Sequence, residues 1–328
     1  MSAEASGLKE VMENSESNRY FRENAAAWLA DAYSQGEYNY PVGLNRIRIV
    51  TEILKSLPGA PDLNLLDLGC GGGDLCIAAA QLGFRVIGID QSSEMIAISN
   101  ANLHSQPAGI ASRVALKQYS LDETNRHLAE GTQDAITAMG LIGYLPSDDL
   151  LFALAHRLLK AHGRLIVSCR NRLFNMVSIS NNTIREIEDG TALPLIDEIE
   201  KLYHPIPEQD VMRFLQVLQE TTSHVHLESL GANCETKTEN ASGALAPQST
   251  STFRARQHTS KQLNIEAEKH GFANTALYGV HPHLLIPRLN ALLPPQIFNK
   301  LSDCLCAFEK LPISLLWSSV FIAVYQKG

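Results

Sequence analysis

No uninterrupted apolar run reaches the ~18 residues that a membrane span needs. The most apolar segments, Leu141–Leu145 and Ile313–Val324, are short and broken by Ser or Gly. The N-terminal MSAEASGLKEVMENSES has no basic stretch leading into an apolar one, so no secretory signal is visible and a cytoplasmic protein is expected. Cysteines are few: Cys70, Cys76, Cys169, Cys234, Cys304 and Cys306. None has the spacing of a redox pair or a zinc knuckle, which predicts reduced, mostly buried thiols. No His/Cys/Asp cluster has convincing metal-ligand spacing either. Positive charge is in deficit, with 27 Lys and Arg against 35 Asp and Glu, a net charge of -8. Such a chain is repelled by phosphate backbones, and no basic patch offsets this, so nucleic acid is not the expected partner.

What is present suits a globular enzyme. The 328 residues are 45% hydrophobic and 19% charged, enough for one large domain or a domain with a sizeable insertion. After a polar start, Tyr20, Phe21, Ala25, Trp28, Leu29 and Tyr33 recur at helical spacing. An aromatic loop, Tyr38 to Tyr40, leads into a second helix from about Leu44. Its apolar face is Ile47, Val50, Ile53 and Leu54; Arg46 lies at the leading edge of that face, and Arg48, Glu52 and Lys55 fall on the wet side. Strands are then predicted at 63–69, 84–90, 114–120, 133–140 and 163–170, with helices at 74–82, 93–103 and 147–160 among them. That alternation means a doubly wound, mostly parallel α/β sheet. Helices near 183–203 and 207–220 interrupt the rhythm, followed by a Ser/Thr/Ala-rich loop at 235–252. It resumes with a helix at 259–270, a strand at 272–280, an inserted helix near 295–310 and a last strand at 318–326.

The informative segment is LLDLGCGGGD (65–74), followed by GID (88–90). Glycines after a first strand let the backbone approach a ligand where a Cβ would collide. The helix behind them presents free N–H groups. Asp90, about 20 residues on, can accept both ribose hydroxyls of a nucleoside. The segment therefore binds an adenosine-containing cofactor. Gly69 and Gly71 fit the dinucleotide fingerprint, but Asp74 stands where its third glycine would be. A carboxylate there repels a pyrophosphate and suits S-adenosylmethionine (SAM), which carries a sulfonium and an ammonium.

DLGCGGG with GIDQSSEMI resembles motif I and the following acidic loop of the class I (Rossmann-like) SAM-dependent methyltransferases, of the small-molecule type. QDAITAMGLIGYLPSDD and LLKAHGRLIVSC are similar to that family's fourth-strand and fifth helix–strand regions. The resemblance implies a seven-stranded sheet with an antiparallel last strand. It also implies that Asp67, Gly69, Cys70 and Gly71 line the methionine part of SAM, Asp90 and Gln91 the ribose, and Met95 the adenine. Ser120 and Leu121 would meet the adenine edge, with Asp122 as the alternative because family members often have Asp where Ser120 stands. Gly140 and Leu141 would pass under the sulfonium. Arg46 resembles an arginine that pairs with the SAM carboxylate; a surface arginine is the other reading. The E-x-x-E-H metal stretch of some quinone-pathway O-methyltransferases is replaced here by Gly140, Gly143 and Tyr144, so no catalytic metal is expected.

A hydroxyl acceptor profits from a general base. The candidates are His281 and His283 in YGVHPHLL, with Tyr144 as a further acceptor contact and His224 and His226 as weaker candidates. The expected organisation is an N-terminal helical lid (1–58), a SAM-binding core (59–170), a helical insertion forming an acceptor lid (171–258), and the rest of the core (259–328) with a second insertion (281–314). Arg170, Asn171 and Arg172 could meet an anionic acceptor or be solvated. The expected activity is O- or N-methylation of a small molecule in secondary-metabolite, sugar or lipid biosynthesis. Methylation of protein or RNA, and a non-catalytic SAM-binding partner subunit, are the alternatives; a homodimer is compatible with each.

Overall fold

The computed structural model describes residues 40–223, 255–290 and 295–328, together with Glu23, Asn24, Leu29 and Leu293. Tyr20, Phe21, Trp28, Tyr33, Tyr38, His224, His226 and the 235–252 loop lie outside the described residues.

Seven strands form one sheet in the order β3-β2-β1-β4-β5-β7-β6. They are β1 (Asn64–Leu68), β2 (Arg85–Asp90), β3 (Val114–Gln118), β4 (Gln133–Met139), β5 (Leu159–Arg170), β6 (Phe272–Pro282) and β7 (Ser318–Lys327). β7 runs antiparallel to both neighbours, and β1 to β5 are parallel. β6 therefore points the same way as β1–β5, and its end lies at the same edge as theirs. The expected sheet, with its antiparallel last strand, is the observed one.

Strand alternation divides the core into two layers. Leu66, Leu165, Val167, Phe321, Ala323 and Tyr325 face one layer; Leu65, Ile166, Ile322 and Val324 face the other. A sheet covered on both faces buries near-continuous apolar strands, which is why 320–325 is apolar throughout. The second layer takes Ile49, Val50, Ile53 and Leu54 from α1 (Val42–Lys55) and Leu75 and Ala79 from α2 (Asp74–Gln81). α3 (Ser93–His104) starts at Ser92, whose side chain accepts the Met95 N–H. α4 (Leu121–His127) starts at Ser120 with a full capping box to Glu123. α5 (Asp149–Leu158) fills the first layer with Leu151, Phe152 and Ala155.

Three predicted helices differ in extent. The one expected at 147–160 ends at Leu158, because Leu159 already pairs with Gln133 in the sheet. The one expected at 183–203 is two: α6 (Asn181–Glu188) and α7 (Ala192–Glu200). Gly190 adopts φ +69° between them, and Pro194 sits in the first turn of α7, where its missing N–H is harmless. The one expected at 295–310 ends as an α-helix at Cys304 and continues as a 3-10 turn over Leu305–Phe308.

α8 (Glu208–Ser223), in the first insertion, packs on α10 (Pro295–Cys304) and its 3-10 extension, in the second. Phe214 meets Phe308 at 5.2 Å between ring centroids. Between the insertions, α9 (Ser260–Lys269) returns the chain to the first core layer through Leu263 and Ala267, capped by Thr259 with Gln262.

Candidate active site at the C-terminal edge of the sheet

The glycine turn follows β1. Gly69, Gly71 and Gly73 have φ of +72°, +51° and +81°, a region that a side chain disfavours. Gly69 N–H and Cys70 N–H both donate to Ile89 O, at 2.8 and 2.9 Å, which fastens the turn to β2. Asp90 closes it from the other side. Its Oδ2 accepts the Gly71 N–H at 3.0 Å and its Oδ1 the Ser92 N–H at 2.9 Å. Burial raises the Asp90 carboxyl against these donors. Asn102 of α3 donates to Gly72 O at 2.9 Å. A Cβ on Gly72 would come within 3.1 Å of Leu29, so a side chain of the N-terminal segment lies over the turn.

Asp67 sits beneath the turn. It is 2% exposed, accepts the Thr137 hydroxyl at 2.7 Å, and meets the Cys76 thiol at 3.5 Å. Burial pushes its carboxyl up to about 6. Asp67 thus shapes the turn from below and adds negative charge there. Met95 is buried at the start of α3, Gln91 is exposed, and Leu121 packs against the first core layer. The Ser120 hydroxyl is engaged in its cap, where it accepts Glu123 N–H and donates to the Glu123 carboxylate. Asp122, the alternative at that edge, is exposed and paired with Arg126.

After β4, Gly140 takes φ +75°. A Cβ there would meet the Arg46 guanidinium at 3.2 Å, so α1 brings Arg46 over the end of β4 and away from bulk surface. Leu141 packs on Gly69, whose added Cβ would be 3.3 Å away. Tyr144 ends the 3-10 turn Ile142–Tyr144, half-buried. Gly69, Asp90, Gly140 and Arg46 therefore converge at one edge.

His281 lies at the end of β6 and His283 just after it, at that same edge. Their ring centroids are 4.4 Å apart. His281 stacks on Tyr40 at 4.8 Å, and its Nδ1 lies 2.8 Å from Ser319 Oγ. His283 stacks on Phe174 at 4.8 Å and lies 5.5 Å from Phe298. Burial holds His281 well below the usual histidine range, helped by His283, Arg46 and Arg170. Burial alone lowers His283 to about 4. Both rings are neutral at pH 7, so each has one nitrogen that can accept a proton.

Several neighbours escaped the sequence reading. Arg48, placed on the wet side, forms a two-pronged ion pair with the buried Glu309 of the second insertion. Tyr40 donates to Asp303 at 3.2 Å. Arg172 and Asn171 are not available to an acceptor. Arg172 pairs with the buried Glu186 through two bonds, at 2.9 and 2.6 Å, and Asn171 Nδ2 donates to Leu315 O and Ser318 O. His258 bridges Asp148, at 2.8 Å from Nε2, and Cys169, at 3.1 Å from Nδ1. Burial pushes the Cys169 thiol up to about 12, so it stays protonated. Arg256 donates to the same Asp148 and to Ile142 O, and its N–H to Gly143 O. Residues 256–258 thus strap the turn after β4 to the segment after β5. These partners lie 89 to 114 positions apart in the chain, where no spacing rule reaches.

Two other features do not include the predicted site residues. Asp149, Glu266 and His270 have ligand atoms within 4.8 Å of one another, but His270 pairs with Asp149 and Lys269 with Glu266. A groove of about 750 Å³ lined by Asp62, Arg85, Arg113 and Gln133 lies at the opposite edge, where β1, β2 and β4 begin.

Residues 60–219 match the family model of a methyltransferase domain. An ubiquinone biosynthesis O-methyltransferase of Sodalis glossinidius is 30% identical over 138 residues, 42% of this chain and 53% of that protein. One of Vibrio campbellii is 29% identical over 178 residues, 52% of this chain and 71% of that one. The chain spans about half the length of the first of these relatives. Among solved structures, magnesium protoporphyrin IX methyltransferase of Synechocystis, with bound S-adenosylhomocysteine (SAH), aligns with a TM-score of 0.51 at 13% identity. That alignment covers 95% of this chain and 97% of the other, a likeness of fold. Among the described residues, no helix is long and apolar enough to cross a membrane.

Proposed function

We propose that this chain, whose residues 60–219 match a methyltransferase-domain model, is a class I SAM-dependent methyltransferase that methylates a hydroxyl or amine of a small-molecule acceptor, with His281 or His283 taking the acceptor's proton. The observation that carries this is the meeting, at one sheet edge, of the glycine turn, Asp90 and Arg46 with two neutral histidines from the far end of the chain. The geometry fits SAM. The cradle at Gly71 and Gly72 has no Cβ to obstruct it, and the carboxylates of Asp67, Asp74 and Asp90 suit a cationic ligand better than a pyrophosphate. When bound, SAM supplies an electrophilic methyl group on a sulfonium.

The chain's own residues do the rest. Asp90 accepts hydroxyl protons of the ribose through lone pairs that its two backbone donors leave open. Arg46 offers a cation to a carboxylate over Gly140. Phe174, Phe298 and Tyr40 wall the histidines with rings and help exclude water. The insertions pack on one another through α8 and α10, and a helical cover of that kind favours a discrete molecule over a polymer; the O-methyltransferase names of the relatives support oxygen as the acceptor atom. Holding the nucleophile in line supplies a large part of such a rate enhancement.

The test is calorimetric titration with SAH, with NADH as control. Saturable binding of SAH alone is expected; binding of NADH instead would overturn the cofactor assignment. Against an acceptor found by screening hydroxyl compounds, at least one of His281→Ala and His283→Ala should slow turnover by roughly 100-fold and spare SAH affinity. Full activity in both variants would remove the base from this pair.

A further inference from the structure

His281 has three unusual features at once. It is a non-glycine residue with φ +56°, at the end of a strand. Its ring is clamped by Tyr40, whose hydroxyl is itself anchored on Asp303 and Cys306. Its Nδ1 and its own carbonyl oxygen share one hydroxyl, that of Ser319, at 2.8 and 3.5 Å. Left-handed backbone at a side-chain-bearing residue costs about 1 kcal/mol or more and persists where the surroundings impose it. Here it turns the ring and the carbonyl toward the same oxygen.

We propose that Ser319 is a positioning residue that fixes the tautomer of His281, holding the proton on Nδ1 and leaving the lone pair on Nε2 for the acceptor. The proposal rests on the methyltransferase reading of the site for its purpose, and on the geometry alone for its content. A hydroxyl has one hydrogen, and a carbonyl oxygen can only accept. If the Ser319 hydrogen goes to His281 O, the Oγ lone pair is left to accept from Nδ1–H, and both contacts are satisfied. The partner of one ring nitrogen decides the state of the other. Burial, with His283, Arg46 and Arg170 facing the ring, keeps it neutral, so a protonated Nδ1 means a bare Nε2. Tyr40, stacked at an interplanar angle of 14°, resists the ring flip that would put Cδ2 in place of Nδ1 against Ser319.

Ser319 stands at the start of β7, and its placement follows from the topology. Because β7 runs antiparallel, its first residues lie beside the last residues of β6, with Ser318 in register with Pro282. Asn171 N–H holds Ser319 O at 2.9 Å, which ties the same residue to the segment after β5.

The experiment is long-range proton–nitrogen correlation on the full chain labelled with isotopic nitrogen in histidine, with and without SAH. The His281 signals are identified by their loss in His281→Asn. The expected result is a single neutral tautomer protonated on Nδ1. In Ser319→Ala that tautomer should give way to a mixture dominated by Nε2–H, and Ser319→Thr should restore it. A wild-type ring protonated on Nε2, or an unchanged tautomer in Ser319→Ala, overturns the proposal. SAH that fails to bind would sink the cofactor assignment and leave the tautomer result standing, so the two failures are distinguishable. A Ser319→Ala chain that does not fold leaves the wild-type spectrum to decide.

Discussion

Asp90 is joined to the glycine turn by a bond spanning 19 positions, whereas Tyr40 reaches Asp303 across 263. The two ends of the same sheet edge are built by different means. At β1 and β2, backbone donors, glycine dihedrals and two strand-end carboxylates build the proposed cofactor side from nearby sequence. At β6 and the insertions, side chains from α1, both insertions and β7 meet, and each contact needs the whole fold in place. A local turn can be assembled by a short stretch of chain; the proposed acceptor side is ordered by tertiary packing. Stability and cofactor affinity should therefore respond to different residues.

The largest separation should come from Glu186. It is buried and bonded to Arg172, Asn175 and Thr191. Its carboxyl is lowered to about 2 despite burial, chiefly by the Arg172 hydrogen bonds, then by Thr191 and Asn175. Glu186→Ala should cost about 3 kcal/mol of folding stability, because it leaves the Arg172 guanidinium without its carboxylate and removes one of the two acceptors of Asn175. SAH affinity should stay unchanged. The same group sets a pH dependence. Its folded pKa is depressed, so its contribution is complete above the unfolded value near 4.5 and is lost as pH falls toward about 2. Denaturant midpoints across that window should fall less steeply in Glu186→Ala than in the wild type. Equal slopes would mean that this cluster is not a stability element.

The converse case is Asp90→Ala. Loss of charge-assisted hydrogen bonds to the ribose should weaken SAH binding by about 2 kcal/mol, roughly 30-fold. The denaturation midpoint should move less than for Glu186→Ala, since the glycine turn keeps its two bonds to Ile89 O. Unchanged SAH affinity would take Asp90 out of the site and erase the contrast.

The same division explains what was legible in the sequence. The strands, their order-defining alternation with helices, and the Gly69–Gly73 turn were readable because each depends on periodicity or on a conformation that a single residue type permits. The convergence of Gly140 with Arg46 was readable only through resemblance to a family. Arg48 was misplaced because helical periodicity reports one buried face, and the second insertion covers part of the other. Ser120, expected at the adenine edge through the resemblance, has its hydroxyl occupied by a capping box with Glu123 in the structure. Glu186, His258 and Ser319 carried no local signal, because their partners come from other elements. The break at Gly190 was visible as a glycine, but the apolar pattern on both sides hid it.

The smallest expected effect tests whether the acceptor side is one connected wall. Arg48 and Glu309 pair across it, with side-chain exposures of 40% and 9%, and Tyr40, just before α1, makes a second link with Asp303 of α10. A pair with one exposed partner is worth about 1 kcal/mol. Arg48→Met and Tyr40→Phe should each lower stability by about that amount. If α1 and the second insertion move as a unit, the double variant should deviate from the sum by about 0.5 kcal/mol or more, as coupled neighbours do. Strict additivity would mean that the two links act separately, and that the wall is a set of independent contacts. The Tyr40→Phe variant keeps the ring on His281 and loses only the hydroxyl, so a change in the His281 tautomer there would show that the anchor on Asp303 is transmitted to the histidine.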